Sequence, residues 1–125
     1  MCLPKNKPVA VPWDEAAPEL ALALSDYMDG AGKEVANGEA FPFRIGKAYT
    51  LLRAEGSELV VVGYQGNHTL SNNAHAIVEL AKSANAKTIR VHTKRRGELR
   101  FLNSLGLGFE LSERRPDEYV LRLKL

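Results

Sequence analysis

The chain has a single cysteine, Cys2, among 125 residues, so neither an internal disulfide nor a thiolate metal cluster can be built from it. Such cysteine usage fits a reducing compartment, and a cytoplasm-like location is expected. No apolar run approaches the roughly 20 residues that a membrane span needs. The first residues lack the charged-then-apolar layout of a secretory signal. There is no internal repeat and no low-complexity stretch. Neither sign of charge dominates: 17 Lys and Arg stand against 15 Asp and Glu, a net +2. Histidine is scarce as well. His68, His75 and His92 are the only three; His75 and Glu79 lie one helical turn apart but are only two ligands, and no other Cys, Asp or Glu joins the histidines at metal-ligand spacing. A closed metal site needs about four ligands. No metal is therefore expected, and the histidines read as structural or solvent-facing.

What remains is a chain of ordinary globular composition, 45% apolar and 26% charged. Its length suits one domain and is too short for two. The net charge hides an asymmetry. Residues 1–62 carry 6 basic against 9 acidic side chains (−3), and residues 63–125 carry 11 against 6 (+5). Anion affinity in the second half follows only weakly from that.

Residues 1–8, rich in proline and lysine, read as an exposed arm, and residues 9–125 as the domain. Val9–Val11 suggests a short strand ended by Pro12. Asp14 can cap a helix, and Pro18 falls in its first turn. Leu20, Leu22, Ala23, Leu24, Tyr27 and Met28 recur at spacings near 3.6 as one apolar face, and Gly30 and Gly32 are expected to stop that helix. Asn37-Gly38 is a turn signal, and the apolar cluster Phe41-Pro42-Phe43 is expected to pack on the core. Residues 47–54 and 58–65 read as strands joined by Glu55-Gly56-Ser57. The unbroken run Leu59–Val62 marks the second as a central strand, covered on both faces. A polar loop over 65–72 leads to a helix over 73–84, then to a β-branched strand over 88–92. Strand, helix and strand in that order form a βαβ unit with parallel strands. A short helix over 97–105 follows, with Leu99, Leu102 and Leu105 facing inward. Two last strands, 109–111 and 119–125, flank the turn at 114–117. The expected architecture is a single α/β domain on one mixed, mostly antiparallel sheet with one βαβ crossover.

This order resembles the GNAT superfamily of acyl-CoA-dependent N-acyltransferases. The stretch from Ala81 to Leu111 carries the resemblance, with Ala86-Lys87-Thr88-Ile89-Arg90-Val91 and the later Leu107-Gly108-Phe109. The closing strand Tyr119–Leu123 and the opening Val9–Asp14 are similar to that family's last and first strands. The resemblance implies a CoA site on the central strand and the loop after it, namely Val61, Val62, Gln65, Gly66, Asn67, His68 and Leu70. Family members carry Q/R-x-x-G-x-G/A there, so that backbone N–H groups approach the pyrophosphate. Gln65 matches the first position, but His68 and Leu70 replace the two glycines, and no G-x-G occurs over 64–80. A side chain at Leu70 would crowd a pyrophosphate. The family's proton-donating tyrosine, in N-x-x-A-x-x-x-Y, is matched by Leu102, with Arg95 and Glu98 at the earlier positions. In a competing register, Glu55–Tyr64 resembles the family's earlier hairpin, which would leave the central CoA strand missing.

Degenerate domains of this size also resemble small internal virion proteins of some short-tailed bacteriophages. The eroded signatures therefore imply a non-catalytic structural or protein-binding component, in the cytoplasm or within a virion, with no catalytic residue and no cofactor. The alternative is an active N-acetyltransferase using acetyl-CoA. A third reading is a nucleic-acid-binding module, carried by Lys94, Arg95, Arg96 and Arg100. The same cluster would serve an acidic protein partner or a CoA 3′-phosphate, and as a plain charge run it would simply face water. No aromatic residues interleave with it, as a single-strand binder would want. Should chemistry survive, Glu55 and Glu58 are candidate bases, and Tyr49, Tyr64 and Tyr119 candidate acids.

Overall fold

A computed structural model of the protein describes residues 7–66, 70–94 and 97–125. Most of the expected arm, at residues 1–6, lies outside them. The strands are β1 (Val9–Ala10), β2 (Ala40–Ile45), β3 (Ala48–Glu55), β4 (Glu58–Gln65), β5 (Thr88–Thr93), β6 (Glu110–Arg114) and β7 (Tyr119–Lys124). The helices are α1 (Trp13–Leu24), α2 (Met28–Ala36), α3 (Leu70–Ser83) and α4 (Glu98–Ser104). The seven strands form one sheet in the order β1-β2-β3-β4-β5-β7-β6. Only β4 and β5 run parallel, joined through α3; every other pairing is antiparallel. The expected mixed α/β sheet with one crossover is therefore present. No helix among the described residues is long and apolar enough to cross a membrane.

Strand periodicity decides which face each side chain joins. Ile89 and Val91 of β5, and Tyr119, Leu121 and Leu123 of β7, meet α3 and α4 in the main core. Ala74, Ile77, Val78 and Ala81 supply the face of α3, and Leu102 that of α4. The opposite face holds a second cluster, in which Ala16, Leu20 and Leu24 of α1 pack with Ala31, Ala40 and Leu51. There α1 lies over β2, β3 and β4. The central strand is thus covered on both sides, as its apolar run requires.

Two local expectations are corrected. The first helix ends before either glycine. Its cap, Ser25, has φ +49°, and a 3-10 turn over Ser25–Tyr27 redirects the chain into α2. Gly30 and Gly32 lie inside α2, where they give room rather than a stop. A Cβ on Gly32 would stand 3.2 Å from Trp13 Nε1, and one on Gly30 3.1 Å from Tyr27 Cε1. The second correction is β2, which the sequence marks only as a core cluster. Pro42 sits in it because its carbonyl, which accepts from the Val11 N–H, faces the short edge strand β1. Its missing N–H faces the same side, so no central ladder bond is lost.

Candidate functional site

Strands β4 and β5 pair only over Glu58–Val61 and Thr88–Val91. Beyond that, β4 continues to Gln65 along β3, and β5 continues to Thr93 along β7. The sheet therefore splits at its centre, at the C-terminal ends of its two parallel strands. This is where ligands enter open α/β sheets. The split begins at a β-bulge. Leu51 of β3 faces Gly63 while Leu52 faces Val61, so Val62 is an extra residue on β4. A bulge bends its strand and raises its twist, which carries β4 away from β5. It also reverses the alternation: Val61 and Tyr64 face the main core, while Val62 and Gly63 both turn toward α1. The fully buried Thr50 donates its hydroxyl to the Gly63 carbonyl at 2.7 Å and fixes the bend.

The expected CoA-site residues divide accordingly. Val61 is the last paired residue of β4, and Val62 and Gln65 line its divergent part. Gly66 follows directly, and Leu70 opens α3. Asn67 and His68 lie outside the described residues. Asn73 in the first turns of α3 donates to the Tyr64 hydroxyl at 2.9 Å and to the Ile45 carbonyl at 3.3 Å. These bonds fasten the start of α3 to the end of β4. The competing register is thereby settled: Glu58–Gln65 is the central strand, paired in parallel through a helical crossover.

Only two residues of the basic cluster fall in the described part of the chain. Lys94 and Arg100 are exposed, and Arg95 and Arg96 lie outside it. Leu102, at the tyrosine position, is a core side chain at 4% exposure. Of the other phenols, Tyr49 donates to Glu15 at 2.9 Å, and that hydrogen bond pushes its pKa up. Tyr119 lies under the Arg114 guanidinium. Among the described residues no group of three or more His, Cys, Asp and Glu is placed to hold a metal.

On the α1 side of β5 and β7 the sheet carries charge. Arg90 and Arg122 sit directly opposite each other, a repulsive cross-strand pair. Glu58 separates them, accepting from Arg90 Nη1, Arg122 Nε and Thr88 Oγ1, each at 2.9 Å. Burial alone would raise its carboxyl pKa, but bonds from Arg122 and Thr88 and the charges of both arginines prevail and hold it below the usual range. Glu55 is lowered in the same way, against its own desolvation, by Arg53 and Arg90. Glu58 is thus a weakened base. It also lies three residues before the split, about 10 Å away along the strand. It is a clasp for three strands.

A folded-state pKa below the unfolded one stabilises at neutral pH, and that contribution disappears as pH falls through the folded value. Unfolding followed from pH 7 downward should show stability falling once pH drops below about 4.3, the ordinary glutamate value. Glu58→Gln should lower stability at pH 7 and flatten that acid limb. An unchanged limb in chemical denaturation would mean the clasp contributes nothing.

Sequence reasoning missed the bulge and His92. His92 is the first residue of β5 beyond the last pair with β4. Its Nδ1 lies 2.7 Å from Glu118 Oε2, and Arg90 Nε donates to its Nε2 at 3.0 Å.

No protein-family model matches the chain, and no curated protein matches it in sequence. Solved structures do match. An acetyltransferase from Bacillus subtilis in complex with CoA superposes with TM-score 0.69 at 18% identity, over 97% of this chain and 99% of that one. A GNAT family acetyltransferase from Elizabethkingia anophelis with acetyl-CoA bound gives 0.72 at 11% identity, over 97% and 99%. The ribosomal-protein-S18-alanine N-acetyltransferase from Escherichia coli gives 0.69 at 12% identity, over 95% and 93%. The chain has the fold of the GNAT acetyltransferases.

These neighbours correct two expectations, the non-catalytic structural component and the absence of a cofactor. All three are acetyltransferases, two hold CoA or acetyl-CoA, and none is a virion protein. The physical reason lies in what the missing glycines control. His68 and Leu70 change side chains, whereas an anion at a helix start is met by backbone N–H groups. The glycines govern how closely an anion can approach, not whether a helix start presents backbone N–H groups, and α3 begins at Leu70, directly after the loop.

Proposed function

We propose that the protein is an N-acetyltransferase that takes acetyl-CoA into the split between β4 and β5 and passes its acetyl group to an amine. One observation carries the reading: the strand pairing ends at Val61 and Val91 while both strands run on, with the bulge at Val62 turning β4 aside. A thioester-bearing chain fits such an opening because the diverging β4 backbone, from Val62 to Gln65, can hydrogen-bond an extended amide-containing arm. The segment from Gln65 and Gly66 through Asn67 and His68 to Leu70, with the amides of α3, would hold the phosphates. The full-length likeness to enzymes with CoA bound supports the same reading.

Aminolysis of a thioester needs three things from the protein. It must hold the acyl carbon at the split, bring the amine to that carbon, and receive the proton the amine loses.

Calorimetric titration with acetyl-CoA tests the proposal. Binding in the micromolar range, about −8 kcal/mol, is expected. Thiol release from acetyl-CoA should then appear with at least one of three amines: spermidine, a lysine-containing peptide, or a peptide with a free N-terminus. Absence of binding at millimolar acetyl-CoA would overturn the reading.

A further inference from the structure

The split has one imidazole at its mouth among the described residues, and its neighbours fix the tautomer of the neutral ring. Arg90 Nε carries a hydrogen and has no lone pair, so it can only donate. His92 Nε2 must therefore accept, and the ring proton of the neutral imidazole sits on Nδ1. That proton is donated to Glu118 Oε2 at 2.7 Å. Glu118 is itself held by Arg115 Nη1 at 3.0 Å. The carboxylate thus fixes both the orientation of the ring and its tautomer, leaving Nε2 as the basic nitrogen. The charged groups around the imidazole are Arg90 on its own strand, Glu118 just before β7 and Glu113 of β6, with Arg115 behind the two carboxylates. The side chain is three-quarters buried.

Position supports the same role. In register, β5 Thr88, Arg90 and His92 point away from the main core, while Ile89 and Val91 point into it. Arg90 stands opposite Val60 of β4, but His92, two residues on, has no β4 partner because the strands have parted. Its place in the ladder is at the lip of the opening, on the face opposite α3 and α4.

We propose that His92, oriented by Glu118, is the proton acceptor of the amine during acetyl transfer. This rests on the acetyltransferase reading above. The amine nitrogen forms a bond to the thioester carbonyl carbon as the carbon–sulphur bond breaks. Sulphur leaves with the electron pair as CoA thiolate, and the proton shed by nitrogen goes to His92 Nε2. The imidazolium then returns that proton to solvent or to the thiolate, so that the products are an acetamide and free CoA. Arg90 Nε must turn aside to clear Nε2. The guanidinium is a rigid plane, so this requires Nη1 and Nη2 to swing off Glu58 and Glu55 together with Nε. The positive ring is then met by the negative Glu118. On this assignment His92 acts as a catalytic residue and Glu118 as its positioning residue.

The test compares wild type, His92→Gln, Glu118→Gln and Glu118→Asp. Each is measured for melting temperature, acetyl-CoA affinity by calorimetry, and thiol release over pH 6–9 with the three amines above. His92→Gln should keep its fold and its acetyl-CoA affinity while kcat falls about 10²–10⁴-fold, the usual range for a lost general base. The rise of rate with pH that the imidazole causes should vanish with it. Glu118→Gln should lower kcat and displace that rise, and Glu118→Asp should restore part of both. If His92→Gln does not fold, the test rests on the loss in Glu118→Gln and its partial recovery in Glu118→Asp. A wild-type rate and pH profile in His92→Gln overturns the assignment. So does a rate loss that only tracks lost stability or lost acetyl-CoA affinity. Wild type that binds acetyl-CoA but releases thiol with none of the amines overturns the acetyltransferase reading itself, and His92 with it. Activity in wild type alongside an indifferent His92→Gln overturns only the role of His92.

Discussion

Leu102→Ala is expected to destabilise the protein by roughly 2–5 kcal/mol, the range for a buried leucine truncated in a core. For a domain of this size that is a fall in melting temperature on the order of 10 °C. Leu102 is 4% exposed and joins Leu121, Leu123, Phe109 and the face of α3 in the main core. Its helix is short, Glu98–Ser104, so packing rather than propensity holds it. The tie at its far end is Asn103, which donates to the Phe109 carbonyl at 2.9 Å and accepts from the Phe109 N–H at 2.8 Å. The result bears on chemistry as well. In the resemblance, Leu102 occupies the position of a proton-donating tyrosine. A large stability loss would show that this position serves the core here, and that protonation of the leaving thiolate falls to other groups. A melting shift too small to resolve would place Leu102 at an open pocket instead.

Gly63→Val should be about as damaging, for the opposite reason. A Cβ at position 63 would stand 2.8 Å from Leu24 Cδ2 and 3.4 Å from its Cγ, closer than such atoms approach. Leu24 is buried at 4% exposure and closes the end of α1 over the sheet. Overpacking of this kind costs about 1–3 kcal/mol for a small insertion, and a β-branched side chain asks for more. Gly63 also follows the bulge, so pushing α1 outward would disturb the split itself. The milder Gly63→Ala combined with Leu24→Ala provides the check. Each single change should destabilise, but the pair should cost less than their sum, because truncating Leu24 removes the atom that the new Cβ meets. Strict additivity in urea unfolding would mean that close approach of α1 is not why glycine stands there. On the proposed acetyltransferase reading, acetyl-CoA affinity should fall more in Gly63→Val than in Leu102→Ala, since only the former lies on β4 at the split.

Both residues mark how far the sequence could be read. Leu102 was legible, because Leu99, Leu102 and Leu105 repeat at helical spacing. Gly63 was not, because a glycine in a strand signals close approach without naming what approaches. Gly30 and Gly32 illustrate the same gap. Read locally they end a helix, whereas in the fold they admit Tyr27 and Trp13. The strand β2 was hidden by Pro42, whose cost depends on which neighbour its missing N–H faces. The reading of function failed for a related reason. The residues at positions 68 and 70 show that two glycines are missing, but a helix start presents backbone N–H groups whatever its side chains.

Periodicity and composition, which are local properties, determined by themselves the α/β class, the central strand Leu59–Val62, the parallel crossover through α3, and the alternating closing strand. Each follows from side-chain direction along one element. Only the tertiary structure decided the split at Val61 and Val91, the bulge that opens it, the Glu58 clasp and the His92–Glu118 pair. The clasp and the His92–Glu118 pair join residues 26 to 64 positions apart, and which partner a charged side chain meets depends on the order in which strands lie side by side. That order puts β7 between β5 and β6, and so brings Glu118 to His92 and Arg122 to Glu58.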